Sequence, residues 1–217
     1  MSQILTLVGV STLQTLEMVL FSTLFSMVIG FPLGVLLYST NSMGITPRPI
    51  LNQVLSRIVN VLRSFPFIIL MILLFPLSRL ILGTSIGTTA TIIPLSIAAA
   101  PFVARLVETA LLEVDLGMIQ AARAMGSTNS QIIYKVLIPE SMPSLVSGIT
   151  LTIINLIGYS AMAGTIGGGG LGDLAIRYGY QRFRPDVMAA SVVVIIVMVE
   201  LIQFVGTRIA NRMLANR

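Results

Sequence analysis

From Met18 to Leu37 the chain carries no charged residue. This run is about the 20 residues that a helix needs to cross the hydrocarbon layer of a bilayer. No other feature restricts the fold as tightly, because backbone amides in lipid must satisfy one another, and a helix does this within a single segment. Further apolar stretches at about 58–78, 86–104, 144–163 and 187–205 repeat the pattern. Hydrophobic residues make up 55% of the chain and charged ones only 10%, against about 25% in soluble domains. The expectation is an all-α integral membrane protein with five transmembrane helices. With no internal repeat and no linker, 11–205 reads as a single domain.

Proline and glycine punctuate these stretches. Gly30, Pro32 and Gly34 predict a kink in the second half of the first span. Pro66 and Pro76 fall within the second span, and Pro94 and Pro101 break the third. Ser141 and Pro143 fit the cap and first turn of the fourth.

The residue types also remove chemistry. There is no Cys and no His, so thiol reactions, disulfides, histidine general bases and the commonest metal ligands are excluded. No Walker lysine motif occurs, so any ATP must be hydrolysed on another chain. A net charge of +5 reads as a bias of the cytoplasmic loops, and nucleic acid is not an expected partner. No Lys or Arg precedes the first apolar run, so no cleavable signal peptide is expected. With the N-terminus outside, Arg48, Arg57, Arg63, Arg105, Arg123, Lys135, Arg208, Arg212 and Arg217 lie within, and Arg79, Arg177, Arg182 and Arg184 lie outside. The bias of positive residues toward the cytoplasm favours this orientation.

The segment at about 106–140 departs from the apolar pattern. Arg105, Glu108, Glu113, Asp115, Arg123, Lys135 and Glu140 crowd into it or border it, so it is expected outside the lipid. It reads as two short helices. Leu112, Leu116, Ile119 and Ala122 give the first an apolar face, and Gly126 stops it. Thr128 with Gln131 three residues on is the capping-box pattern that starts the second. Ile132, Ile133, Val136 and Leu137 supply its apolar side, and Pro139 is expected to end it. Ala121, Ala122 and Ala124 keep the first helix thin, so that another surface can approach closely.

Gln120, Ala121, Ala122, Gly126, Val136, Ile138 and Pro139 resemble the cytoplasmic coupling loop of ABC importer permeases. Gln120 stands where that family usually has Glu, which leaves open the ion pair that Glu could make to an ATPase. RSFPFIIL at Arg63–Leu70, GTSIG at Gly83–Gly87, APFVARLVETALLE at Ala100–Glu113 and GYSAMAG at Gly158–Gly164 resemble the methionine importer permeases within that family. The resemblance implies the type I permease fold, with the coupling loop in the cytoplasm of a bacterium and the spans in its inner membrane. It implies a second copy of the chain, two ATPase subunits that carry the ATP and Mg, and an external lipid-anchored methionine-binding protein. No cofactor or metal is implied on this chain, and no catalysis. Glu113, Gln120, Ala121, Ala122, Arg123, Gly126 and Ser127 are the expected ATPase-docking positions.

Tyr159, Ser160 and Met162 lie among small residues near the outer end of the fourth span. They are candidates to line or gate a path at the dimer axis, and close helix packing accounts for the same small residues. Arg63 and Glu200 are ionisable groups within or near spans, which makes both functional candidates. Snorkelling explains Arg63 equally well, and a structural role is favoured for Glu200. Gly167, Gly169 and Gly172 match a dinucleotide-binding spacing, but no strand precedes them. A flexible hairpin or re-entrant turn that meets the binding protein is expected instead. An importer of another amino acid, or an ion-coupled secondary transporter, are the competing readings. The second of these usually needs repeated halves and intramembrane acids, and the chain has one midspan acid and no repeat, which argues against it.

Overall fold

The computed structural model describes residues 2–215, with side chains from 4 onward; Arg217 lies outside the described residues. All regular structure within them is helical. The first helix, α1, runs Ser2–Thr40 and begins well before the expected start of the first span. Its 39 residues exceed the thickness of the hydrocarbon layer at 1.5 Å per residue. Gly30, Pro32 and Gly34 do not interrupt it. The two glycines lie against a second long helix, α4 (Thr88–Leu112). A Cβ built on Gly30 would lie 2.6 Å from the Ala100 carbonyl, and one on Gly34 would lie 2.6 Å from the Ala104 carbonyl. The pair is a small-xxx-small seam that lets two membrane helices touch backbone to backbone. In sequence these residues read as a kink signal, which does not foresee this close packing.

The second span is the largest departure. It is two helices, α2 (Pro49–Ser64) and α3 (Phe67–Leu82), bent by 102° relative to each other. Phe65 between them is extended (φ −70°, ψ 130°) because a residue that precedes proline is pushed out of the helical region. Among the described residues four helices are long and apolar enough to cross, and the bent pair supplies a fifth span if counted as one.

Pro94 and Pro101 are buried within α4 and do not end it, and α4 continues past Ala104 to Leu112. Membrane helices tolerate such prolines where neighbouring elements cover the freed carbonyls. Arg105 and Glu108 therefore belong to α4, where they form an ion pair at 2.5 Å. A short helix, α5 (Leu116–Ala124), follows, and Leu112 is on α4, not on α5 as the spacing suggested.

Pro139 does not end the next helix either. Residues Asn129–Gly164 form one continuous helix made of α6 (Asn129–Ile132), a π-helical turn (Ile133–Leu137) and α7 (Ile138–Gly164). Proline lacks an N–H and crowds the carbonyl four residues back. The wide π turn just before Pro139 accommodates both, and the Ile138 N–H bonds to the Ile133 carbonyl instead. Consequently Ser141 and Pro143 are interior to the helix and start nothing. The chain then makes a glycine turn and a buried helix, α8 (Gly170–Leu174), followed by a π-helical segment (Ala175–Tyr180) and α9 (Pro185–Ala215).

The packing order places α4 between α1 and α7, and α9 on the far side of α7. One buried cluster joins one end of the bundle to the polar segment. It contains Tyr38, Val107, Leu111, Ile119, Ala122, Ile132, Leu137 and Leu145. A second cluster, with Met18, Leu95, Ala99, Leu156 and Ile157, fills the middle.

Candidate coupling and permeation sites

The short helix α5 is held at both ends by its own sequence. Asp115 caps it by accepting from the Gly117 N–H at 2.7 Å. At the other end the Ser127 N–H bonds to the Ala122 carbonyl and the Gly126 N–H to the Arg123 carbonyl. This is a Schellman closure, and it needs a left-handed residue, which Gly126 supplies at φ +80°. The capping box forms as the sequence predicts, with Thr128 and Gln131 each bonding the other's backbone.

Ile119 and Ala122 seat α5 on the bundle, while Ile132 and Leu137 seat the following turn. Arg123 donates to the Ile45 carbonyl at 2.9 Å and so ties α5 to the loop after α1. The knuckle is thus seated on the cluster that joins α1, α4 and α7, and tied to the loop after α1. Gln120, Ala121, Arg123 and Gly126 are exposed, Ser127 is half-buried, and Ala122 faces inward. Glu113 is not brought onto α5. It accepts from Ser144 and faces a groove beside α7 and α9. Sequence reasoning missed the protruding apolar side chains, Met125 at 79% and Tyr134 at 71% exposure, with Leu116 and Met118 beside them. Their signal was available, because large apolar residues in a polar segment require a reason.

The candidate path residues separate. Tyr159 stacks on Phe67 at the head of α3, ring centroids 4.4 Å apart. Ser160 is buried and spends its hydroxyl on the Ile157 carbonyl of its own helix at 2.8 Å. Only Met162 is well exposed, at 45%. The guanidinium of Arg63 lies over the Phe102 ring, 5.8 Å from its centre. Glu200 is exposed on α9 beside Gln203, Thr207 and Arg208, and among the described residues nothing pairs with it.

The glycine run is neither a flexible hairpin nor an exposed surface. Gly170, Leu171, Gly172 and Leu174 are buried. The Gly170 N–H bonds to Gln14 at 3.0 Å and the Leu171 N–H to Thr15 at 2.9 Å, so α1 caps α8. Gly170 has φ +78°, and a Cβ there would meet Met18 at 2.7 Å. At Gly172 a Cβ would run into the Ala161 carbonyl, so the backbone of α7 leaves no space for a side chain there. The exposed part comes later, at Tyr180 (68%) and Phe183 (86%). Ion pairs Arg177–Asp173 and Arg184–Asp186, both at 2.6 Å, brace this tip.

A helical bundle with long apolar spans and a capped, bundle-anchored knuckle at one end defines the membrane-spanning subunit of a transporter. The chain belongs to the family of binding-protein-dependent transport system inner membrane components, whose pattern matches residues 30–215. It is 52% identical to the "Probable D-methionine transport system permease protein MetI" of Pasteurella multocida, over 95% of both chains. It is 49% identical to the "Methionine import system permease protein MetP" of Bacillus subtilis, over 81% of this chain and 79% of that one. The solved structure titled "Inward facing conformations of the MetNI methionine ABC transporter", in its native crystal form, superposes with a TM-score of 0.96 at 47% identity. That match covers 98% of this chain and 99% of the other.

Proposed function

We propose that this chain is the permease subunit of an ATP-driven importer that carries methionine, in L and D forms, across the bacterial cytoplasmic membrane. The observation that carries this reading is the end-to-end match to methionine permeases, 52% identical over 95% of both chains. Two copies enclose the path, since five spans of one chain enclose little and a two-fold pair encloses more. Two ATPase subunits hold the ATP and Mg and grip α5 through Gln120, Ala121 and Gly126, with Met125 and Tyr134 as apolar knobs. The force they exert passes through Ile119, Ala122 and Arg123 to the inner ends of α1 and α4 and rocks the bundle. This chain binds no cofactor and catalyses nothing itself.

The N-terminus lies outside and the C-terminus in the cytoplasm, which puts Phe183 and Tyr180 on the outer face. A lipid-anchored methionine-binding protein docks there, on the exposed tip and not on the buried glycine run. Met162 closes the path at the two-fold axis, with Tyr159 held behind it by Phe67. Solute-stimulated ATPase activity in vesicles tests the reading. The subunit, its ATPase and the binding protein are reconstituted together and challenged with a panel of amino acids. Methionine should stimulate hydrolysis above all others, and Gly126→Trp or Ala121→Trp should abolish co-purification of the ATPase. Equal stimulation by unrelated amino acids would reject methionine as the solute. Uptake driven by a proton or sodium gradient through this chain alone would reject the class.

A further inference from the structure

The bent second span leaves one helix, α2, that buries only the face around Val59 on α1 and α4 and leaves the rest of its surface uncovered. We infer that α2 is an interfacial helix that rests on the anionic headgroups of the cytoplasmic leaflet. Its residues divide into two sides. Ile50, Val54, Ile58 and Val61 follow at spacings of four, four and three, and all are at least half exposed. Gln53, Arg57, Asn60 and Ser64 form a polar stripe beside them at spacings of four, three and four. Such a division suits a boundary, with one side against acyl chains and the other in water.

Depth follows from the polar anchors. Asn52 donates to the Leu37 carbonyl at 2.8 Å, close to the inner end of α1. Arg105 reaches Asn60 at 3.1 Å while paired to Glu108 at 2.5 Å, so α2 lies where α4 turns from apolar to charged. The 102° bend then turns α2 away from the direction of α3. If α3 crosses the bilayer, α2 runs along its surface.

Charge selects the lipid. Between Glu17 and Glu108 the chain holds no acidic residue, and Arg48 and Arg57 are exposed without a side-chain partner among the described residues. Basic side chains at the border of an apolar face favour an anionic headgroup such as phosphatidylglycerol over a zwitterionic one. The membrane thus holds α2 on its exposed side while Asn52 and Arg105 hold it from the bundle, which fixes the angle at Pro66.

The chain has no cysteine, so single-cysteine variants carry one label each. Ile58→Cys and Gln53→Cys proteins, fluorescently labelled, are placed in mixed phosphatidylcholine–phosphatidylglycerol vesicles. Bromine on acyl chains should quench the Ile58 label and leave the Gln53 label bright. Energy transfer from the Gln53 label to headgroup-tagged phosphatidylglycerol should exceed transfer to tagged phosphatidylcholine, by up to about five-fold per arginine. The double variant Arg48→Gln/Arg57→Gln should bring that ratio back to the bulk composition. Equal transfer to both lipids in the unaltered arginine background would overturn the inference. So would an unquenched Ile58 label with rapid Ile58→Cys cross-linking between copies, which would place a second copy of the chain on this face.

Discussion

At Gly34 the chain has no space for a side chain. Val107 and the Ala104 carbonyl both stand 2.6 Å from where a Cβ would be. Gly34→Leu therefore forces α1 off α4, and overpacking of this kind costs about 1–3 kcal/mol. A lowered melting temperature of the detergent-solubilised subunit checks it, with Gly9→Leu as the control because nothing lies within 4 Å of Gly9. Glu200 stands at the other extreme. It is exposed and unpaired among the described residues, so Glu200→Gln should leave the stability of the isolated subunit within about 0.5 kcal/mol. A larger loss, read from the same melting curve, would reveal a partner within the fold. The caps at Gly126 and Thr128 were legible residue by residue, because each acts on backbone three to five positions away; the cap at Asp115 was not read, although it too is local. The inward side of Ala122 followed from its spacing to Ile119, but the bond from Arg123 to Ile45 was not legible, since that carbonyl lies 78 residues away in sequence.

The element scale is where proline misled. Pro139 reads as a stop, yet the π turn carries the helix past it and joins the knuckle rigidly to α7. A π turn takes up one extra residue, and each residue turns a helix by about 100°. Pro139→Ala removes the reason for that turn. The segment before it should then relax into regular helix and rotate α5 relative to α7. Helical content by circular dichroism should be unchanged while association with the ATPase weakens. Unaltered association would mean that α5 is positioned by its buried contacts alone. Pro66 acts in the opposite way and divides a predicted span into α2 and α3. The difference lies in the surroundings. Pro94 and Pro101 are packed among buried neighbours, whereas Phe65 and Pro66 are exposed.

For the molecule as a whole, sidedness governs every role assigned above. Ser130→Cys should react with an impermeant reagent only from the cytoplasmic side, and Arg182→Cys only from outside. The reverse pattern would exchange the docking faces. With that orientation, Phe183→Ala should weaken stimulation of ATPase activity by the methionine-binding protein several-fold and leave ATPase association intact. Normal stimulation would move the docking surface elsewhere. The tip suits this role because the aromatic rings project from it between two ion pairs.

Composition and periodicity alone determined that this chain is helical and lies in a membrane. Lipid provides no hydrogen bonds, so a long charge-free run has few folds open to it. Local spacing also determined the short capped helices, since a cap involves only neighbours in sequence. Tertiary structure decided the rest. Whether a glycine bends a helix or seats one against another depends on what lies opposite, and for Gly30 and Gly34 that is α4. Whether a proline ends a helix depends on how the freed carbonyl is covered. The burial of α8 beneath Gln14 and Thr15 depends on residues 156 positions apart, a separation at which no local pattern carries information.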